Sequence, residues 1–489
     1  MGAARSWRAL ARQILNNGIA PFSRMQRTLV LGLDSIPQGF MFEKFLPWMP
    51  TIRRLMKESR YGTLRSTDPP ITVPAWAVMF TGVDPGTLGI YGFRHRRLGS
   101  YTDMYTPTSK MIPFPPIWDL LSREGRRVAV IGMPPGYPPP AVNGVYISDF
   151  LTPDNAQDFV YPPALRAEVE SIAQGEYMFD VLFRADDRDR VEREVFEMTR
   201  RRFAVARQLW AKEPWDFFAV HEIGPDRIHH AFWKFFDPTH PKYVTGSPFN
   251  STAERYYRLL DEEIARFLEL VPKEVTVWIA SDHGSQSMQG CFCINEWLLK
   301  NGYLTLKGPR PKPGTPLDNV PIDWSRTRVW GAGGYYARLF FNVRGREPEG
   351  IVSPQDVPEL ARELQTRLNQ VTGPDGQPFR TSLLDPHQIY RGVRGDPPDL
   401  MAYFQDLHWR SAGTIGYDGL FLAENDTGPD DSVHSMDGFF LLYAPNDHAT
   451  PRRLADQSIL DVAPTLMQRM GVPIPPHVQG KVIPELLSG

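Results

Sequence analysis

The chain has 489 residues, long enough for a large α/β core with insertions, and it balances 54 basic against 56 acidic residues for a net charge of -2. The charges are scattered, with no long single-sign run, which argues against bulk nucleic-acid binding and against a polybasic membrane anchor. No apolar stretch approaches the ~18 residues of a membrane span. The two cysteines, Cys291 and Cys293, are too close for a comfortable disulfide within one strand and too few for a thiolate metal site, so a reducing, cytoplasmic location is expected.

In chain order, residues 6–15 interleave basic and apolar side chains and read as a short amphipathic helix within an extension over residues 1–23. Residues 27–33 (Arg-Thr-Leu-Val-Leu-Gly-Leu) read as a buried strand that delivers Asp34 at its carboxyl end. Residues 50–61 have helical spacing. Proline-stiffened chain then leads to Thr72, with Pro74 in the first turn of a helix that Gly82 stops. A hydroxyl there feels the positive end of the helix dipole and suits a nucleophile, though a helix-capping threonine has the same signature.

Residues 115–125 and 128–132 form a helix–strand unit. A Pro- and aromatic-rich stretch follows, then a long charged helix over 188–212 and a strand over 216–221. If a helix begins at Pro225, Asp226 and His230 stand at i and i+4 on one face, close enough to share an ion, while His229 is turned away toward packing. The amphipathic helix 251–270 feeds the apolar run 275–280, which ends in Ser281-Asp282-His283-Gly284. A carboxylate and an imidazole at that place hold the usual ligand position of an open α/β sheet, or simply end a strand. Residues 399–404 read as the return of the core pattern. His434 lies in a polar loop before the strand 439–444, as a loop residue or as a last ligand.

Asp34, Thr72, Asp226, His230, Asp282, His283 and His434 thus lie at or near the ends of core strands, and one rim of the sheet could gather them. Their number suits two divalent ions. Oxygen and nitrogen donors without thiolate favour Zn²⁺, with Mn²⁺ or Fe²⁺ as the other choices. Two cations about 4 Å apart serve an in-line displacement at phosphorus.

With those residues in that order, the chain resembles the alkaline phosphatase superfamily, in the branch of type I phosphodiesterases and nucleotide pyrophosphatases. The stretches Leu29-Val30-Leu31-Gly32-Leu33-Asp34, Ser281-Asp282-His283-Gly284, Asp461-Val462-Ala463-Pro464-Thr465 and Gly471-Val472-Pro473-Ile474-Pro475 carry the likeness. Met133-Pro134-Pro135-Gly136-Tyr137-Pro138-Pro139 and Asn295-Glu296-Trp297-Leu298 are similar to a prokaryotic subgroup of phosphohydrolases and phosphomutases. The resemblance implies a doubly wound α/β fold: a central, mostly parallel sheet with helices on both faces. Residues 24–134, 189–284 and 396–489 would form the catalytic core, with an insertion at 135–188 and a cap-like one at 285–395.

It further implies that Asp34, Thr72, Asp282 and His283 hold one metal and Asp226, His230 and His434 the other. Thr72 would attack phosphorus and form a phospho-threonine that water then releases. The implied activity is a phosphodiesterase or nucleotide pyrophosphatase acting on a small-molecule phosphoester, with a phosphomonoesterase or phosphomutase as the alternative. A non-catalytic, metal-stabilised binding protein would require a lost ligand, and none is lost. Arg94 and Arg96 are candidate clamps for a second phosphate. One departure stands out: nucleotide pyrophosphatases place an asparagine shortly after the nucleophile to hold a phosphate oxygen, where this chain has Ala75 and Trp76.

Overall fold

The computed structural model describes residues 26–487 apart from Asn155 and His448, so the extension expected over 1–23 lies outside the described residues. The main sheet is built on β1 (Thr28–Leu33), β2 (Arg60–Arg65), β3 (Val128–Ile131), β4 (Gly144–Ile147), β5 (Phe217–Glu222), β6 (Thr276–Ala280) and β7 (Asp437–Tyr443), in the order β2-β7-β6-β1-β5-β3-β4. Strand β1 pairs in parallel with β5 on one side and β6 on the other, Thr28 facing both Phe217 and Thr276. The sheet is parallel from β6 to β4, while β7 runs antiparallel to both β6 and β2.

The continuous apolar character of β1 has a direct cause, since alternate side chains enter different cores. Leu29, Leu31 and Leu33 join the cluster that holds Val195, Phe232, Tyr257 and Ile264, whereas Val30 joins Ala75, Val78, Met79 and Leu466 on the other face. The first face is covered by α2 (Arg188–Lys212), α3 (Gly224–Phe236) and α4 (Thr252–Leu268), the second by α1 (Thr72–Thr81) and α5 (Val462–Met470). Helix α4 buries Ala253, Tyr256, Tyr257, Leu260, Ile264 and Phe267, spaced three and four apart as a one-sided stripe requires. All ten residues of α1 are buried, and it ends at Gly82, whose φ of 67° is the left-handed turn that glycine accepts without a Cβ penalty. The doubly wound, mostly parallel fold is as expected.

Two expectations need correction, and one strand was not expected. The segment 135–188, expected as an insertion over the core, extends the main sheet instead: β4 pairs in parallel with β3, and Val160–Tyr161 pairs with β4. Residues 399–404, expected to resume the core, lie in a second, seven-stranded sheet, where Leu400–Phe404 pairs antiparallel with Ala337–Phe341 and Thr381–Leu384. That sheet has its own apolar core around Phe292, Trp297, Leu339, Phe340 and Phe404. A buried apolar run carries no mark of which sheet it joins, because pairing is settled by non-local partners. Strand β2, with two arginines in six residues, has no strand-like pattern in sequence and is held by the register Arg60↔Leu442 to Arg65↔Asp437.

Gly32 in β1 leaves room for an indole. A Cβ at that position would lie 2.5 Å from the Trp76 ring, whose Nε1 donates to Asp34 Oδ2 at 2.9 Å. Gly32→Ala is therefore expected to destabilise the fold by about 1–3 kcal/mol through overpacking. Chemical denaturation with a tryptophan-fluorescence readout checks this.

Candidate active site

The carboxyl ends of β1, β5 and β6 and the start of α1 converge on one point, and all seven candidate ligands reach it. Asp34, Thr72, Asp226, His230, Asp282, His283 and His434 are each 2% exposed or less, so their polar atoms are held in a dry setting. Thr72 is the first residue of α1 itself, with Ile71 as the capping residue. Asp226 stands in the first turn of α3 with His230 one turn on, and His230 Nε2 lies 3.3 Å from Asp226 Oδ1. His434 arrives by strand pairing: Ser432–Ser435 runs antiparallel to Gly284–Ser287 with Ser285 opposite His434, which brings its ring to 3.9 Å from that of His283.

Two groups of donor atoms result. Asp34, Asp282 and His283 each offer an atom within 4.8 Å of the others, and so do Asp226, His283 and His434. His283 Nε2 lies 3.2 Å from Asp282 Oδ2, 3.7 Å from Asp34 Oδ1 and 3.2 Å from Thr72 Oγ1. On the second side, His434 Nε2 lies 3.3 Å from His230 Nε2 and 3.6 Å from Asp226 Oδ1. Thr72 faces the first group, and His283 borders both.

The decisive observation concerns carboxylate oxygens. Asp34 Oδ2 accepts from Trp76 Nε1 at 2.9 Å and lies 2.7 Å from His221 Nε2; Asp282 Oδ1 accepts from the Ser35 N–H; Asp226 Oδ2 accepts from Arg227 Nη1 at 2.5 Å. The opposite oxygen of each, Asp34 Oδ1, Asp282 Oδ2 and Asp226 Oδ1, is buried without a hydrogen-bond partner among the described residues, the 3.3 Å approach of His230 Nε2 to Asp226 Oδ1 being an ion pair that lacks hydrogen-bond geometry. Buried carboxylate oxygens are expensive to leave unmatched, and three aimed at one space fit bound cations. A set of carboxylates and imidazoles without thiolate suits Zn²⁺ or Mn²⁺.

The charge states tell the same story. Burial, then the neighbouring charge of Asp34, pushes Asp282 well above the ordinary carboxylate range. Burial also tends to raise Asp226, but the adjoining His230 and Arg227 outweigh it and hold this carboxylate well below its usual value. Among the imidazoles, burial and the neighbouring His434 lower His283 to about 3, and burial lowers His434. His230 goes the other way, up to about 10, because Asp430 and Asp226 overcome its burial. In the metal-free protein one proton on His230 therefore offsets part of the negative cluster. A ligand must be deprotonated, so metal binding would release that proton.

Around the cluster lie residues that sequence reasoning missed. Asp430 Oδ1 is 2.7 Å from His230 Nδ1, and its Oδ2 accepts from Arg184 Nε at 2.8 Å and Arg410 Nη1 at 3.0 Å. Its only signal in sequence is the acidic pair beside Ser432. His221 is the last residue but one of β5, opposite Gly32 and two residues short of the place Asp34 holds after β1, so a rule that looks near strand ends would have found it. Tyr335 stacks on His434 at 3.8 Å with no sequence signal at all. Ser35 adopts φ 65°, a strained turn for a residue with a side chain, and this aims its N–H at Asp282. His229 serves packing: Nδ1 is 3.0 Å from the Ser35 carbonyl and Nε2 is 2.8 Å from the Tyr257 hydroxyl.

Of the two arginines expected as phosphate clamps, Arg94 is exposed. Arg96 is buried, gives Nη1 and Nη2 to Glu347 at 3.1 and 3.0 Å, and stacks over Trp330 and Phe340. Its guanidinium braces the second sheet, so the clamp expectation for Arg96 is withdrawn.

The profile of the family "Type I phosphodiesterase / nucleotide pyrophosphatase" matches residues 28–437. Solved structures with the same fold include human ectonucleotide pyrophosphatase/phosphodiesterase 5, at 14% identity over 93% of this chain and 97% of that one, with a TM-score of 0.56. An inactive threonine-to-alanine variant of the murine protein, in complex with AMP, matches at 13% identity over 93% and 97% of the two chains, with a TM-score of 0.54. No curated sequence matches the chain closely enough to count as a relative.

Asp282→Asn is expected to act in opposite directions with and without metal. The folded-state pKa of Asp282 lies above its unfolded value, so its contribution is favourable at low pH and is lost as pH rises through the folded value; at neutral pH burying this carboxyl costs the metal-free fold stability. The variant should raise the melting temperature of chelator-treated protein by about 1–3 °C. It should also lose most of the stabilisation that added Zn²⁺ gives the wild type, which is about 3 kcal/mol at a hundredfold excess over Kd. Thermal unfolding with EDTA or with Zn²⁺ reads both effects.

Proposed function

The chain belongs to the type I phosphodiesterase/nucleotide pyrophosphatase family and is a hydrolase acting on phosphoric esters, and from that premise we propose that it is a dinuclear-metal phosphodiesterase with Thr72 as the nucleophile. The observation that carries this reading is the trio of unpartnered oxygens, Asp34 Oδ1, Asp282 Oδ2 and Asp226 Oδ1, beside the Thr72 hydroxyl. In the proposal, Asp34, Thr72, Asp282 and His283 hold one Zn²⁺ or Mn²⁺ ion, and Asp226, His230 and His434 hold the other. When bound, the cations supply the positive charge that draws the proton from a weakly acidic hydroxyl and screens the phosphoryl oxygens.

The chain's own residues do the rest. Helix α1 aims its positive end at the developing charge on Thr72, which a mid-helix threonine would not feel. Thr72 Oγ1, its proton given up to solvent water, bonds to phosphorus as the ester oxygen opposite departs, and water then displaces the threonine from the face the leaving group vacated, a proton returning to Oγ1. Two in-line displacements give net retention at phosphorus. Trp76 and His221 on Asp34, Ser35 on Asp282, and Asp430 on His230 fix the orientation of the ligand side chains, the service that outer contacts give in metal sites.

The substrate proposed is a small phosphodiester or a nucleotide-like anhydride. The AMP bound by the murine structural neighbour supports a nucleotide, and exposed Arg94 is free to meet a second phosphate. Cys291 and Cys293 are buried free thiols, which supports the proposed cytoplasmic residence.

Thr72→Ala is expected to cut turnover by at least about 10³-fold, as losing a nucleophile does, while metal content measured by plasma mass spectrometry stays near that of the wild type. Retained turnover would remove Thr72 from the chemistry. The metal-loaded wild type should cleave bis-p-nitrophenyl phosphate faster than p-nitrophenyl phosphate; the reverse ranking in a colorimetric assay would reassign the protein as a monoesterase.

A further inference from the structure

Tyr335 has no part in the reaction proposed above, yet its hydroxyl lies inside the cluster. It comes from the second sheet, between the strands Val329–Ala332 and Ala337–Phe341, and crosses to the main sheet's rim. Its ring lies 3.8 Å from that of His434, and the Arg410 guanidinium carbon sits 4.3 Å from the Tyr335 ring centroid. Its Oη accepts from Arg184 Nη2 at 3.0 Å and is 3.1 Å from His230 Nε2. Both arginines are pinned by Asp430, the same carboxylate that holds the far side of the His230 ring. The hydroxyl is therefore fixed by groups that also fix the site.

The direction of its hydrogen follows from donor counting. A guanidinium only donates, so Arg184 occupies a lone pair of Oη and leaves the O–H free to point elsewhere. Once His230 Nε2 serves as a ligand it has no lone pair to offer, and the hydrogen must find another acceptor beside the Asp226, His230 and His434 group.

The place of that acceptor is set by the ring stack. His283, His434 and Tyr335 stack in that order, at 3.9 and 3.8 Å. Thr72 Oγ1 sits at the His283 end, 3.2 Å from Nε2, and the tyrosine hydroxyl is at the other. In an in-line displacement the nucleophile and the departing oxygen lie on opposite sides of phosphorus.

Resting on the function proposed above, we propose that Tyr335 is a catalytic residue that donates a hydrogen bond to the oxygen leaving phosphorus, with Arg184 holding the phenol in that pose. As Thr72 Oγ1 bonds to phosphorus and the ester bond breaks, the electron pair passes to the leaving oxygen, where the Tyr335 O–H meets it. No proton passes from Tyr335 in that step, and Thr72 enters it with its own hydroxyl proton already given up to solvent water. A departing oxygen that is a poor leaving group carries the most charge and gains the most from this contact.

The test compares metal-loaded wild type with Tyr335→Phe on two diesters of similar size, bis-p-nitrophenyl phosphate and diphenyl phosphate. The variant is expected to lose about 10- to 100-fold on diphenyl phosphate, the usual cost of a hydrogen bond to a charged group, and under about threefold on the nitrophenyl ester. Its metal content should match that of the wild type, and its calorimetric affinity for orthovanadate should fall about tenfold. Equal losses on both esters, no loss on either, a fall in metal content or an unchanged orthovanadate affinity would overturn the assignment. A wild type that turns over neither ester would instead overturn the phosphodiesterase reading itself, and this inference with it.

Discussion

Three carboxylates crowded at one rim of a sheet are the constraint on which the structure turns. Asp34, Asp226 and Asp282 are all but inaccessible to solvent, and each presents an oxygen with no hydrogen-bond partner among the described residues. Removing such charge from water costs several kcal/mol per group even after relaxation. A fold built for stability alone would scatter these groups or pair each of them. This one pairs half of each carboxylate and leaves the other half open, so the cost is concentrated where cations would repay it.

The architecture around the cluster keeps the open oxygens from finding other partners. Parallel pairing of β1 with β5 and β6 sets the backbone positions of Asp34 and Asp282, and the strained Ser35 ties one to the other. Trp76, His221 and Arg227 each claim one oxygen of a carboxylate and so turn its twin inward. The indole of Trp76 needs the missing side chain of Gly32 to lie where it does, which couples core packing directly to the geometry of Asp34. Residue 76, read in sequence only as a departure from a related pattern, thus has a definite task.

The second sheet closes the other side. Tyr335 and Arg410 come from it, and Arg184 comes from the segment before α2; together with Asp430 they form a charged and aromatic wall against His230 and His434. Asp430 is the hinge of this wall, since one carboxylate holds an imidazole through one oxygen and two guanidinium groups through the other. Arg96, by contrast, serves the second sheet internally through Glu347.

Much of this was legible in the amino-acid sequence because local chemistry leaves local marks. A buried strand reads as an apolar run, a helix start as proline and a small polar residue, and a ligand pair as Asp and His one helical turn apart. Asp34, Thr72, Asp226, His230, Asp282, His283 and His434 were visible on those grounds, and the alternation of strands and helices marked an open α/β sheet, whose doubly wound layout the family resemblance implied. The sheet membership of Gly144–Ile147 and Leu400–Phe404 was not, nor was the strand Arg60–Arg65, because pairing partners lie far off in the chain. By itself, then, the sequence determined which side chains stand at the ends of core strands. Only the tertiary structure decided which oxygens remain unmatched, that Arg96 is spent on Glu347, and that Tyr335 reaches the cluster from another sheet, for each of these depends on distances between segments that share no local pattern.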